Sequence, residues 1–272
     1  MKHYLIALDM DGTLMYDWTT LLPETIDGIK RLKQQGHTFV IATGRPFRST
    51  EKFYDLLELD TPMINYNGGI ISSKNDPNFE EQLIWLEKNS ILDVMNRHNA
   101  IINNAFCEIK DDIYLLKDDP RLYNFLHLEN GAKLHIGDFV DILPGPTNGC
   151  ILLCDLNHAQ TIEDDIKKRY PGKLLARNWG SPEQAIIELY TPKTNKGEAL
   201  LKVADYLGFK QEDIIAFGDG INDFELIQTA GWGVAMINGV DALKHTADDI
   251  THYDHKHNGV IRYLDDYLQN TK

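Results

Sequence analysis

Two blocks of this 272-residue chain, one toward each end, alternate short unbroken apolar runs with segments of helical period. The first block reads "YLIAL", residues 24–35, "TFVIA", residues 47–57 and "PMINY"; the second reads Lys196–Leu207, "DIIAF" and Phe224–Thr229. Apolar runs of this length suit strands buried on both faces, and strands alternating with helices build a parallel sheet covered by helices on either side. The helices carry their own marks. Ile26, Ile29 and Leu32 recur on one face after Pro23, with Gly36 where a C-terminal cap belongs, and Leu200, Val203, Ala204 and Leu207 repeat the pattern before Gly208. The expectation is an α/β chain whose core is assembled from both ends.

Between these blocks the grammar changes. "AIINNAFCEIK", "IYLLK" and "GCILLCDL" read as strands, and residues 120–129 and 159–170 as helices. This predicts an inserted α+β domain over residues 76–189, leaving 1–75 and 190–272 as the core. The turn-rich stretches "SSKNDPN" and "YTPKTN" mark the two crossings, which suggests a hinge. With 27 basic and 41 acidic residues the net charge of −14 repels nucleic acid and anionic membranes, so a phosphate-bearing ligand must be drawn by a local cation. No apolar run approaches the roughly 20 residues of a membrane helix and the opening residues do not read as a signal peptide, so a cytoplasmic protein is expected. Cys107, Cys150 and Cys154 lack metal-binding spacing and read as buried reduced thiols.

In an open parallel sheet, ligands bind beyond the carboxyl ends of the strands. "YLIAL" delivers Asp9 and Asp11 to that edge, "TFVIA" delivers Thr43, Gly44 and Arg45, and "DIIAF" delivers Gly218, Asp219, Gly220, Asn222 and Asp223. A lone aspartate there reads as a helix cap, and Asn222 and Asp223 suit capping of the helix that begins near Phe224. Four converging aspartates cannot all be caps, because like charges so close destabilise a fold unless something positive sits among them. A divalent cation answers this, and an all-oxygen ligand set favours Mg²⁺ over Zn²⁺. The histidines of "HYDHKHNG" fit no common metal spacing and read as a polar loop before the last helix.

"DMDGT" at 9–13, "ATGR" at 42–45, "NKG" at 195–197 and "GDGIND" at 218–223, in this order, resemble the four motifs of the haloacid dehalogenase-like superfamily, in particular its Cof-type sugar-phosphate phosphatase branch. "NYNGGII" and "GVAM" also fit that branch, and the mid-chain insertion matches its class IIB cap in position and size, so the resemblance covers nearly the whole chain. It implies a Rossmann-like, doubly wound core with Asp9 as nucleophile, forming an aspartyl-phosphate, and Asp11 as general acid and base. Mg²⁺ would be held by the carboxylates of Asp9 and Asp219 and the backbone carbonyl of Asp11, with Asp223 a ligand either directly or through water. Thr43, the Gly44 amide, Lys196 and Asn222 would hold the phosphoryl oxygens, and Arg45 is divided between that role and a structural ion pair. The sequence departs from the branch at Asn258, where relatives carry Asp, and in "MING" at 236–239, where they carry "MGNA".

The expected function is Mg²⁺-dependent hydrolysis of a small phosphorylated metabolite, a sugar phosphate by family resemblance, in a monomer that binds neither nucleic acid nor membrane. A phosphomutase on the same core would retain the phosphoryl group instead of releasing phosphate. A phospho-aspartate receiver domain would use similar residues, but in half the length and without an acid two residues after the acceptor.

Overall fold

The computed structural model describes residues 2–123, 125–128, 131–180 and 183–270. In chain order the elements are β1 (Leu5–Leu8), α1 (Pro23–Gln34), β2 (Thr38–Ile41), α2 (Phe47–Leu56), β3 (Met63–Asn65), β4 (Ile70–Ser72), β5 (Gln82–Leu83), α3 (Lys88–Arg97), β6 (Ile102–Ile109), β7 (Asp112–Leu115), β8 (Lys133–Ile136), α4 (Phe139–Ile142), β9 (Gly149–Cys154), α5 (Ala159–Arg169), β10 (Leu175–Asn178) and β11 (Ala185–Tyr190). They continue with α6 (Lys196–Leu207), β12 (Ile214–Gly218), α7 (Phe224–Thr229), β13 (Trp232–Ala235), α8 (Asp241–Lys244), β14 (Asp249–Ile250) and α9 (Gly259–Asn270). The chain divides into two compact units, one of Met1–Arg45, Thr50–Gln82 and Asn195–Lys272, the other of Pro46–Ser49 and Leu83–Thr194.

The first unit is built on a parallel sheet of order β14-β13-β12-β1-β2. All four residues of β1 are buried, which is why "LIAL" reads as a continuous apolar run instead of an alternating one. Leu5 and Ala7 face a cluster with Leu200 and Val203 of α6 and Leu226 of α7. The opposite face meets α9, where the Phe217 and Tyr263 rings lie 5.5 Å apart, and α9 in turn packs on α1 at Gly28 and Ile261. Because β1 lies between β12 and β2, the chain leaves their carboxyl ends toward one edge from three sequence-distant places.

The second unit carries a sheet of order β10-β11-β9-β6-β7-β8, antiparallel except where β7 meets β8. One face is covered by Ile91 and Val94 of α3 and by Ile162 and Ile166 of α5. Cys107 and Cys150 are cross-strand partners on it, and both are buried free thiols, as is Cys154. Among the described residues of 120–129 the expected helix is reduced to a 3₁₀ turn at Pro120–Leu122, started by the Asp119 carboxylate accepting from the Arg121 amide at 3.1 Å. His127 has a φ of +49°; residues 124 and 129 lie outside the described set.

α6 and α7 approach so closely at Gly197 that an added Cβ would stand 2.3 Å from the Glu225 carbonyl oxygen and 2.5 Å from Thr229 Oγ1. Backbone cannot yield as a side chain can, so Gly197→Ala is expected to destabilise the protein by about 1–3 kcal/mol through overpacking, measured by urea unfolding.

Candidate active site

The sheet continues one residue past β1, since the Asp9 amide donates to the Phe217 carbonyl at 3.1 Å and fixes Asp9 beside the end of β12. The chain then turns back, with the Met10 carbonyl accepting from the amides of Leu14 and Met15, each at 2.9 Å. Gly12 sits in this turn at φ +78°, and an added Cβ would lie 2.3 Å from Asp219 Oδ2. Only glycine meets both demands. Thr13 donates to the other Asp219 oxygen at 3.1 Å, so the turn after β1 and the loop after β12 are joined side chain to side chain.

Lys196 opens α6, where the Asn195 carboxamide caps the helix by accepting from the Glu198 amide at 2.7 Å. An exposed lysine at a helix start would be the ordinary outcome, yet Lys196 is 0 % exposed. Its ammonium donates to Asp9 Oδ1 at 2.5 Å and to Asp223 Oδ1 at 2.6 Å. Burial works to strip its proton, but the carboxylates of Asp223 and Asp9 outweigh that effect and hold it charged well above the usual lysine range.

Asp223 does not cap the following helix. Its carboxylate turns back, and Oδ2 accepts from the Asp219 and Gly220 amides at 3.0 and 2.9 Å. With Lys196 on its other oxygen, Asp223 is largely spent on protein donors. An oxygen from each of Asp9, Asp219 and Asp223 falls within 4.8 Å of the others. Burial, then repulsion from Asp223, pushes the Asp9 carboxyl well above its usual range against the pull of Lys196. The same two causes push Asp219 up to about 7.

Arg45 is buried and aimed at Asp11. Its Nε donates to Asp11 Oδ2 at 2.7 Å, one Nη to Asp11 Oδ1, and the same Nη to the Trp18 carbonyl at 2.9 Å. This is a two-pronged ion pair, the second of the roles the sequence left open for Arg45. Thr43 is buried, its hydroxyl accepts from the Arg45 amide at 3.2 Å, and Gly44 lies next to Asn67, whose side chain would be 3.1 Å from an added Cβ. Asn222 donates to Asn67 Oδ1 at 2.9 Å.

The structure therefore gathers Asp9, Lys196, Asp219 and Asp223 into one cluster, sets Asp11 against Arg45, and places Thr43 and Gly44 beside the Asn67–Asn222 pair. Thr13, Asn67 and Asn238 join the site without having been assigned a role from the sequence. Asn238 donates to the Gly12 carbonyl at 2.8 Å, and the Val240 amide to the Asp219 carbonyl at 2.9 Å, so the departing "MING" turn is a brace for the aspartate loops. Asn258 instead accepts from Thr25 at 2.8 Å and donates to Glu24 at 2.7 Å, bonding to none of the clustered groups.

A sequence model of haloacid dehalogenase-like hydrolases matches residues 6–264. The chain belongs to the haloacid dehalogenase-like hydrolases. The matched model is one of hydrolases, and relatives of the chain carry the names of phosphatases. This haloacid dehalogenase-like chain is 34% identical over 270 residues to a 5-amino-6-(5-phospho-D-ribitylamino)uracil phosphatase of Bacillus subtilis, covering 98% of each. It is 27% identical over 269 residues to a pyridoxal phosphate phosphatase of Escherichia coli, covering 91% of this chain and 93% of the relative. Among solved structures, a haloacid dehalogenase-like hydrolase from Bacteroides thetaiotaomicron superposes with TM-score 0.80 at 26% identity, covering 98% of this chain and 100% of its own.

The raised Asp219 value gives a signed expectation. A carboxyl held at about 7 in the fold against its ordinary 3.8 favours the protonated folded state, so stability is lost as pH rises through that interval. With divalent ions chelated, the thermal midpoint is expected to fall between about pH 4 and about pH 7. Asp219→Asn should flatten that fall, whereas Lys196→Met, by leaving buried carboxylates unpaired, should cost about 3–5 kcal/mol. An Asp219→Asn protein no more stable than wild type at the alkaline end would contradict the like-charge account.

Proposed function

We propose that the chain is a Mg²⁺-dependent phosphatase of small phosphorylated metabolites, sugar phosphates among them, acting through an aspartyl-phosphate on Asp9. The single observation that carries this is the fully buried Lys196, bonded to Asp9 and Asp223 beside Asp219. No structural need is served by enclosing carboxylates around one ammonium, whereas a reaction that brings a phosphate dianion against an aspartate needs fixed positive charge there. The names of the relatives, one acting on a ribitylaminouracil phosphate and one on pyridoxal phosphate, favour small monoesters as the substrate class.

The residues fit a hard divalent cation. Asp9 and Asp219 each have an oxygen that accepts no hydrogen bond among the described residues, the donors are all oxygen, and the cluster holds more carboxylates than ammonium groups. Asp9 and Asp219 would hold Mg²⁺, with the Asp11 carbonyl, and Asp223 would contribute through water because its own oxygens are occupied. Bound there, the ion would offset repulsion between the attacking carboxylate and the phosphoryl group.

Lys196 fixes the Asp9 carboxylate through Oδ1, so that one carboxylate oxygen can face the metal position while the other attacks phosphorus. As the new P–O bond forms, the ester P–O bond breaks and the departing oxygen takes a proton from Asp11. In the second half Asp11 accepts the proton of a water that attacks phosphorus, releasing phosphate and restoring Asp9. The Arg45 fork occupies both Asp11 oxygens, so turning Asp11 toward the departing oxygen requires part of the fork to be given up. Thr43, the Gly44 amide, Lys196 and Asn222 would hold the phosphoryl oxygens, and the inserted unit over Leu83–Thr194 would act as the cap that selects the leaving group.

A phosphate-release screen over sugar phosphates, nucleotides and phosphorylated cofactor precursors tests the proposal. Release should require Mg²⁺, cease on chelation, and fall to the uncatalysed background in Asp9→Asn. Asp11→Asn should still transfer the phosphoryl group to Asp9 from a reactive aryl phosphate, whose leaving group needs no proton, and then stall. Normal turnover in Asp9→Asn would end the proposal.

A further inference from the structure

Tyr66, Asn67 and Gly68 take positive φ one after another, at +50°, +54° and +94°. Two of these are not glycine, and a side chain in this region opposes the backbone, so such a run persists only where surrounding contacts over-determine it. The contacts here run to three separate parts of the site. The Asn67 amide donates to the Thr43 carbonyl at 3.0 Å and the Tyr66 amide to the Arg45 carbonyl at 3.3 Å, while Asn65 just before the turn donates from its side chain to the same Arg45 carbonyl at 2.9 Å. Gly68 lies against the start of α6, where an added Cβ would be 2.4 Å from the Asn195 carbonyl oxygen, one residue before Lys196. Asn67 Oδ1 takes the Asn222 carboxamide from the loop after β12.

We infer that the left-handed turn Tyr66–Gly68 is the clamp that sets the Thr43–Arg45 loop in register with the Lys196 end of α6, and that Asn67 is a positioning residue acting through Asn222 and the Gly44 backbone. The inference rests on the phosphatase reading and adds to it a residue outside the cluster of charges. The left-handed backbone turns the Asn67 side chain between Gly44 and Asn222, two groups assigned to the phosphoryl oxygens. A right-handed residue at 67 would direct that side chain elsewhere. Asparagine suits the place because it tolerates left-handed backbone better than other residues with a carboxamide-length reach.

Asn67→Gly separates the two parts of this role, since glycine keeps the backbone conformation and removes the side chain. The probe is p-nitrophenyl phosphate with Mg²⁺, on wild type, Asn67→Gly, Asn222→Ala and the double variant. The thermal midpoint of Asn67→Gly should not fall, yet its KM and its inhibition constant for inorganic phosphate should both rise about tenfold with a smaller change in kcat. The double variant should lose little beyond Asn222→Ala alone, the signature of two residues acting as one. An unchanged KM in Asn67→Gly, or losses that simply multiply in the double variant, overturns the inference while leaving the phosphatase reading intact. An inactive wild type overturns that reading and the inference with it. Should Asn67→Gly fail to fold, Asn67→Asp carries the test: it accepts the same backbone and keeps an oxygen toward Asn222 but sets a negative charge beside Gly44, so an unchanged KM there is equally fatal.

Discussion

A lysine ammonium enclosed between two aspartates at the edge of a buried sheet is the interaction on which the rest of this structure turns. Lys196 is 0 % exposed and bonded to Asp9 and Asp223, an arrangement whose desolvation cost exceeds what a fold would incur for stability alone. It also dictates where α6 begins, since the helix must deliver its first side chain inward. The Asn195 cap and the glycine at 197 both serve that delivery, the one by starting the helix at the right residue and the other by letting it press onto α7.

The charges around it are arranged by backbone as much as by one another. Asp223 is steadied by the amides of Asp219 and Gly220, Asp219 by Thr13, and Asp11 by the Arg45 fork. Each carboxylate therefore has a different local answer to the same repulsion. Asp223 is satisfied by donors, Asp11 by a guanidinium, and Asp9 and Asp219 only in part, which leaves those two with oxygens to offer. The division of labour among chemically identical side chains follows from these partners, because identical groups acquire different acid–base roles only through different surroundings.

Around this cluster the loops are tied together more tightly than a sheet edge requires. Asn238 braces the turn after β1, the Val240 amide braces the loop after β12, and the left-handed turn at Tyr66–Gly68 braces the loop after β2. Two left-handed residues other than glycine, Tyr66 and Asn67, stand here in succession, while the core of the second unit's sheet, with Cys107, Leu152 and Ile187, is ordinary apolar packing. A site that must hold a highly charged ligand in one geometry gains from such bracing, since a small misplacement at a reacting atom is costly.

Much of this was legible in order along the chain. Continuous apolar runs marked the parallel strands, because a strand covered on both faces has no polar face to show, and strand ends carrying Asp9, Thr43 and Asp219 marked the edge where the polar groups gather. Family membership too was written in four short motifs whose spacing survives in the primary sequence. Other features existed only once the chain had folded. That Asp223 turns back to two amides instead of capping its helix, that Arg45 grips Asp11, and that Asn67 meets Asn222 across 155 positions are pairings set by where loops from distant strands come together. The expected helix after Pro120 belongs with them, since among the described residues only a 3₁₀ turn at Pro120–Leu122 forms there. Local sequence fixes which residues can make an element or carry a charge; which partner each charge finds depends on a tertiary approach that no local pattern encodes.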